Sequence, residues 1–493
     1  MNLWQQDWIS KWALYSPNKI AIQEHESGKE ITYKSLNDCA NGIAQYLNSE
    51  YNIVKGDRVA VLAEYDIEYV ALFSGSQKAG FIIVPINYRL AQAEVIDIIR
   101  DASPKLIFTQ NKFNHLVSQD FANINQDYGI LSTIDGNGIN TITQVEDDDP
   151  IFIIYTSGTT GKPKGVKYTH KMLFWNSINT ALSLKLNAES RTVNVMPPFH
   201  TGGWNVLLTP FLHHGGFVSM CNKFEAENVL QTIASLRCNI FMGVPTMLGM
   251  MANEKSFEIS DLSCLDYIIV GGESMPIPLI ERYATKGVAI RQGYGMTEIG
   301  PNLTSLHQDD AINKKGSIGR PNFYVQHRII HENGHDCKAN EAGELWLRGP
   351  MVTPGYWHND IATKDAFSPD GQWFKTGDIV IEDEDKYLYI VDRLKNMFIS
   401  GAENVYPAEI EKVLRQLADI QECAVIGVKD EKWGEVGKAF IVKPAESLIS
   451  DEEIRNFCIS KLAKYKVPKY ITFIAALPKT DSGKIDRKSL KFL

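Results

Sequence analysis

The segment Tyr155-Thr156-Ser157-Gly158-Thr159-Thr160-Gly161-Lys162-Pro163-Lys164-Gly165 constrains the chain more than any other. It puts three glycines, four hydroxyl side chains and two lysines behind the wholly apolar run 151–154. Glycines let backbone N–H groups converge on an anion, hydroxyls add hydrogen bonds, and lysines supply positive charge, so this is the composition of a phosphate-holding loop. A Walker loop needs Ser or Thr directly after Gly-Lys, where a helix opens and a hydroxyl reaches magnesium. Pro163 stands there instead. Val166-Lys167-Tyr168 reads as another short strand, with a helix starting near Thr169, so the loop is expected to join two strands.

A chain of 493 residues exceeds what one hydrophobic core serves, which implies two to four domains and room for a deep pocket. With 44% hydrophobic and 22% charged residues and a net charge of -9, nothing points to nucleic acid or an anionic membrane as the main partner. The seven cysteines are scattered and lack C-x-x-C spacing, which argues for reduced thiols rather than disulfides or zinc. The first residues carry no signal-peptide pattern, and no stretch of about 20 apolar residues follows. A cytoplasmic enzyme is expected, and the sequence leaves a weak peripheral membrane contact and a homodimer open.

Periodicity gives an α/β class. Leu36, Cys39, Ala40, Ile43, Ala44 and Leu47 fall at helical spacing; then 59–62 reads as a strand, 68–78 as a helix and 81–86 as a strand. A second βαβ unit runs through strand 267–270, Gly271-Gly272, helix 278–284 and strand 288–291. Such sheets bind ligands at the C-terminal ends of their strands, where Gly271-Gly272 and Gly293-Tyr294-Gly295 lie. From about Ser317 the chain turns β-rich, with a strand at 344–348 and a hairpin over 379–391. The acidic run 382–385 reads as its solvated turn. After Asp392-Arg393-Leu394-Lys395 a small α+β pattern follows: Pro407 at a helix start, strands at 424–428 and 439–442, and a Ser450-x-x-Glu453 capping box.

The loop string 155–166 closely resembles the signature of the adenylate-forming superfamily, which includes acyl-CoA synthetases, peptide-synthetase adenylation domains and beetle luciferases. Further segments match in order along nearly the whole chain, most like bacterial fatty-acid-CoA ligases. The resemblance implies a large N-terminal domain over 1–393 of βαβ-containing sheets with a β-rich subdomain, and a small mobile α+β domain over 394–493 with its hinge at Lys395. It assigns Thr156, Ser157, Gly158, Thr159, Thr160, Gly161, Lys162 and Lys164 to ATP. Pro198-Phe199-His200-Thr201-Gly202-Gly203 matches the segment bordering the acyl pocket and thiol channel. On its own, His200 would be a structural histidine, but its place in this ordered set of matching segments makes it a catalytic and acyl-binding residue by resemblance.

Gln292-Gly293-Tyr294-Gly295-Met296-Thr297-Glu298 matches the nucleotide motif: Tyr294 packs on adenine, Thr297 donates to the α-phosphate and Glu298 coordinates Mg2+ as a hard oxygen ligand. Gly271-Gly272-Glu273 resembles the backbone lining adenine, with Glu273 where many relatives have Ala. Asp378, in Thr376-Gly377-Asp378, holds the ribose hydroxyls, and Arg393 gives a second ribose or phosphate contact. Lys484, in Pro478-Lys479-Thr480-Asp481-Ser482-Gly483-Lys484-Ile485, is the adenylation lysine. CoA falls to Ser400, Gly401 and Trp433, with Ala402 where relatives often have a second glycine.

The implied reaction has two steps. A carboxylate attacks the ATP α-phosphate, giving acyl-adenylate and pyrophosphate, and CoA thiolate then displaces AMP. Relatives rotate the small domain between the steps. No Asp near 200–205 or 241–245 would hold an amino group, and Met242, Val244, Ile269, Met296, Gly203 and Trp204 suggest an apolar acid, fatty or aromatic. Trp204 would either close or line the acyl tunnel, or sit in the core with its N–H on a carbonyl. The alternatives in function are transfer to a carrier protein, an oxidative reaction, an aryl acid as substrate, and a non-catalytic nucleotide binder.

Overall fold

The computed structural model describes residues 6–136, 138, 142–156, 163–272, 275–400, 403–431, 433–480 and 484–493. The chain is α/β and packs as two compact units. One comprises 1–327 with 347–374, the other 328–346 with 375–493.

Among the described residues, the first unit contains three sheets. The largest has the order Asn125–Asp127, Leu106–Thr109, Arg58–Leu62, Ile82–Pro85, Pro150–Thr156, Lys164–Thr169. Its strands are parallel up to Pro150–Thr156, which pairs antiparallel with Lys164–Thr169. The glycine-rich segment therefore joins two neighbouring strands, as its flanks indicated. Ile82–Pro85 is buried along its whole length, as expected of a parallel strand covered on both faces.

Helix Ile67–Ala79 makes the crossover between Arg58–Leu62 and Ile82–Pro85. Its Tyr69 N–H donates to the Asp66 side chain at 2.9 Å, and Gly80 ends it at φ 75°, a left-handed cap that glycine adopts without strain. The second sheet runs Ile240–Gly243, Tyr267–Val270, Ile290–Tyr294, then the short Thr304–Ser305 and Arg320–Pro321. Its first three strands are parallel. The third sheet joins Glu30–Thr32, Ile20–Glu24, Phe217–Met220 and Arg191–Asn194.

A four-stranded sheet of Gln326–Ile330, Ala342–Arg348, Phe374–Glu382 and Leu388–Arg393 begins the second unit, although its strand ends cross the division. The last two strands form the expected antiparallel hairpin. A second sheet pairs Glu422–Asp430 antiparallel with Gly434–Val442, and Tyr470–Phe473 runs parallel beside the latter. Helix Pro407–Leu414 starts on its proline. Helix Asp451–Lys461 carries the capping box: Glu453 N–H donates to Ser450 Oγ at 3.2 Å, and Ser450 N–H to Glu453 Oε2 at 2.9 Å. Among the described residues, no helix is long and apolar enough to cross a membrane.

Candidate active site

In the first unit, the parallel register Gly243↔Val270 and Val270↔Gln292 brings three strand ends together. Val244 and Gly271-Gly272 leave the sheet beside Gly293-Tyr294, which end the third strand, and Gly295-Met296 follow beyond it. A side chain at Gly272 would touch Val244 Cγ1 at 3.8 Å, and one at Gly271 would touch the Gly293 carbonyl oxygen at 3.8 Å. The nearest neighbours of these glycines are thus other parts of the same set. Gly295 is a different case: a Cβ there would sit 2.0 Å from the Pro301 oxygen, so only glycine fits. Gln292 is buried, and its Oε1 accepts the Met275 N–H at 3.2 Å.

Met296 leads into the one-turn helix Thr297–Ile299, whose three residues are buried. Glu298 is only 7% exposed. The Tyr356 hydroxyl donates to its Oε1 at 3.0 Å, and Thr353 N–H donates to its carbonyl at 2.8 Å. Burial and then the Glu298 charge push the Tyr356 hydroxyl pKa upward, so it stays protonated and donating. The same ring lies 5.0 Å below Lys164 Nζ, a cation–π distance. Trp357 N–H donates to the Gly165 oxygen at 2.7 Å, and Lys167 N–H to the Gly355 oxygen at 3.1 Å. Tyr356 therefore links Glu298 to the strand that closes the glycine-rich loop.

On the other side of that loop, Tyr155 donates to Asp101 Oδ2 at 2.5 Å, and the Thr156 hydroxyl leans on the Lys164 oxygen at 3.5 Å. Ser157, Gly158, Thr159, Thr160, Gly161 and Lys162 lie outside the described residues, as do Glu273 and Gly401.

His200 follows strand Arg191–Asn194, its ring edge-on to Phe199 at 4.7 Å. Asn194 Nδ2 donates to the Gly203 oxygen at 2.9 Å. A Cβ at Gly203 would meet the Pro197 oxygen at 2.2 Å and the Tyr65 hydroxyl at 2.9 Å. Trp204 is fully buried, its N–H donates to the Pro198 oxygen at 2.7 Å, and Tyr65, Tyr69, Phe73 and Phe152 surround it at 5.2 to 5.3 Å. Asn302 Nδ2 donates to the Val206 oxygen at 3.0 Å and to Thr180 Oγ1 at 2.6 Å, while Asn176 Nδ2 donates to the Asn205 oxygen at 2.7 Å. These bonds tie the chain just beyond Glu298 to the turn that carries His200 and Trp204.

In the second unit, Asp378 and Arg393 face each other across the hairpin, Nε to Oδ1 at 3.0 Å, with Asp378 buried and Arg393 half exposed. Gly377, at φ 70°, donates to Glu344 Oε1 at 3.0 Å, and the Thr376 hydroxyl donates to the Leu345 oxygen at 2.7 Å. Lys395 stands beside this pair. Partial desolvation lowers its pKa, the positive charges of Arg393, Lys488 and Lys484 push the same way, and Asp378 opposes them. Lys395 thus feels three other positive charges and the Asp378 carboxylate, and Lys484 itself is exposed.

Ser400 is buried and bridges to Gly434, and the exposed Trp433 borders a depression of about 780 Å³ that also touches Ile399, Asp430 and Glu435. Tyr356, Thr353, Asn176 and Asn302 carry no motif of their own in the sequence. The available signal was Gly355-Tyr356, a glycine and an aromatic in an otherwise unremarkable turn.

Among the described residues, the first unit sets the buried Glu298 beyond a strand-end glycine cluster, and the second holds the Asp378–Arg393 pair and the exposed Lys484. The chain belongs to the AMP-binding enzyme family: residues 9–357 match the model of the AMP-binding enzyme, and residues 409–484 that of the AMP-binding enzyme C-terminal domain. It is an adenylate-forming acyl-CoA ligase. It is 35% identical to the feruloyl-CoA synthase of an Amycolatopsis species over 97% of this chain and 96% of that protein. It is also 35% identical to the long-chain-fatty-acid–CoA ligase FadD13 of Mycobacterium tuberculosis, with the same coverages. Among solved structures, the O-succinylbenzoate coenzyme A synthetase of Bacillus subtilis in complex with ATP and magnesium superposes with a TM-score of 0.88 at 28% identity, covering 98% of this chain and 99% of that one.

Proposed function

We propose that this ligase activates an apolar carboxylic acid, a medium- or long-chain fatty acid or a related one, and transfers it to CoA. The observation that carries the reading is the apolar character of the segments around the strand ends, Val244, Met242 and Ile269 with Met296, together with no acidic residue in 200–205 or 241–245. A charged ammonium on the acid would be desolvated there without a partner. Oxide is not a workable leaving group from a carboxylate, so the acid oxygen attacks the ATP α-phosphorus and pyrophosphate departs. CoA thiolate then attacks the acyl carbon and AMP departs.

MgATP enters as substrate. The Glu298 carboxylate supplies a hard oxygen of the kind magnesium takes, and bound magnesium would offset the phosphate charge. Lys162, Lys164 and Lys484 would offset the charge growing around the α-phosphate. Asp378 would accept from the ribose hydroxyls, Tyr294 would stack on adenine, Thr297 would donate to the α-phosphate, and Lys395 would be the hinge. Ser400, Gly401 and Trp433 would border the pantetheine path.

An aryl acid is the second reading, favoured by the feruloyl-CoA synthase relative, which is as similar as the fatty-acid ligase. A panel of fatty and aryl acids in a pyrophosphate-release assay, with mass spectrometry of the thioester, separates them. The fatty-acid reading expects the highest kcat/KM on an aliphatic acid. A preference for cinnamate- or benzoate-like acids replaces it with the aryl reading, and a preference for amino acids or dicarboxylates overturns both.

A further inference from the structure

The second unit contains a cluster that the ligase reaction does not use. The turn His331-Glu332-Asn333-Gly334-His335 leaves strand Gln326–Ile330. His331 N–H donates to the His335 oxygen at 2.9 Å, and Gly334 N–H donates to the His331 oxygen at 2.8 Å. Gly334 supplies the φ of 85° that closes it, a conformation glycine adopts at no steric cost. The turn sets the two imidazoles nearly parallel, centroids 4.6 Å apart at 22°. Glu341 reaches back to them from the start of the next strand. Its Oε2 accepts the Lys338 N–H at 2.9 Å, and its Oε1 lies 3.2 Å from His335 Nε2. One ligand atom from each of His331, His335 and Glu341 lies within 4.8 Å of the other two.

We infer that His331, His335 and Glu341 form a surface site for one divalent transition-metal ion of the zinc class. Two imidazole nitrogens and one carboxylate oxygen are a donor set that zinc takes in three-ligand sites, with water completing the coordination. The carboxylate is already oriented, because Lys338 N–H holds its second oxygen; such outer contacts raise metal affinity by fixing the ligand. Competing ligands are engaged elsewhere. Asp336 is paired with Arg328 through two bonds of 2.7 and 2.6 Å, and the Cys337 thiol donates to the Ala342 oxygen at 3.5 Å.

An ion arriving here would replace two contacts. A neutral imidazole has one lone pair to give. At His331 the Nδ1 lone pair accepts a long 3.3 Å bond from the Asn333 N–H, which on this exposed turn water can take over. At His335 the contact with Glu341 requires a shared proton, and the ion takes that proton's place.

The test uses the full chain, tag-free and stripped with chelator, titrated with zinc chloride by calorimetry and with cobalt chloride by absorption. One zinc ion per chain is expected at about micromolar affinity, with cobalt giving visible d–d bands and no thiolate charge-transfer band. His331→Ala and His335→Ala should each weaken zinc by at least about tenfold while keeping the melting temperature of the stripped protein. Zinc affinity no tighter than about 0.1 mM, undiminished binding in the His331→Ala/His335→Ala double variant, or a thiolate band from cobalt would each overturn the site.

Discussion

The two regions that carry the proposed nucleotide-site residues are built by opposite means. In the first unit, Gln292, Thr297 and Glu298 are buried, and backbone bonds, the Tyr356 hydroxyl and Asn302 each fix part of the set. In the second, Arg393, Lys395 and Lys484 are exposed on strand ends and loops; Arg393 pairs with Asp378, and the charges of Arg393 and Lys484 act on Lys395. The first arrangement makes position inseparable from stability, since each residue is also a packing element. The second leaves long cationic side chains that can be changed at little cost to the fold, because surface charges contribute little to it. Substitutions in the first region should therefore cost folding and function together, and those in the second function alone.

Gly295→Ala tests the rigid side hardest. The new Cβ would lie 2.0 Å from the Pro301 oxygen and 2.3 Å from its carbon, backbone atoms that cannot turn aside. A loss of more than about 4 kcal/mol, or failure to accumulate folded protein, is expected. A melting temperature within a few degrees of the parent would mean that the strand-end turn yields, and the contrast between the regions would weaken.

Trp204→Ala comes next. The indole is buried against four rings with its N–H satisfied, so its removal should cost about 3 to 5 kcal/mol of stability. The kcat/KM profile across acids of increasing length should keep its shape. If longer acids gain instead, by roughly 0.8 kcal/mol per added methylene, the indole lines the acyl tunnel.

Lys484→Ala is the counterpart in the exposed region. Adenylate formation should fall by about a hundred- to a thousandfold, as when one preorganised charge is lost beside a reacting phosphate, with melting temperature unchanged. Conversion of supplied acyl-adenylate to acyl-CoA should persist. Equal loss of both half-reactions would remove the assignment of Lys484 to the first step.

Neighbouring residues encode the two regions unequally. The βαβ units, the 267–270 strand with its glycines, the 379–391 hairpin and the Ser450 capping box follow from local rules, and the structure contains each of them. Short-range chemistry, such as a proline at a helix start, is written in neighbouring residues. What binds Glu298 in place is not: Tyr356 is 58 positions away and Asn176 is 126 positions from its partner Asn302. Such residues carry ordinary composition and become visible only once the chain brings them together. Trp204 shows the same limit, because one tryptophan after Gly202-Gly203 is compatible with a tunnel wall or a core, and only its surroundings distinguish them.

Tyr356→Phe is the smallest expected effect and the finest probe of the rigid region. The substitution removes one hydroxyl and keeps the ring, so the cation–π contact with Lys164 and the bridge to Val166 stay. What goes is the 3.0 Å bond to Glu298 Oε1, a bond to a charged group in a buried setting, contributing about 1.5 to 3 kcal/mol. If Glu298 meets magnesium, an unheld carboxylate should raise the magnesium concentration needed for half-maximal pyrophosphate release by about tenfold, at a melting temperature lower by only a few degrees. Glu298→Gln should raise it further, since the amide keeps the bond to Tyr356 and loses the charge. A Tyr356→Phe enzyme with unchanged magnesium dependence and a lowered melting temperature would make the tyrosine a packing residue alone. Unchanged behaviour in both measurements would mean that Glu298 is held well enough by the Thr353 N–H and its own helical turn, and that the first region is more redundantly fixed than the single hydroxyl implies.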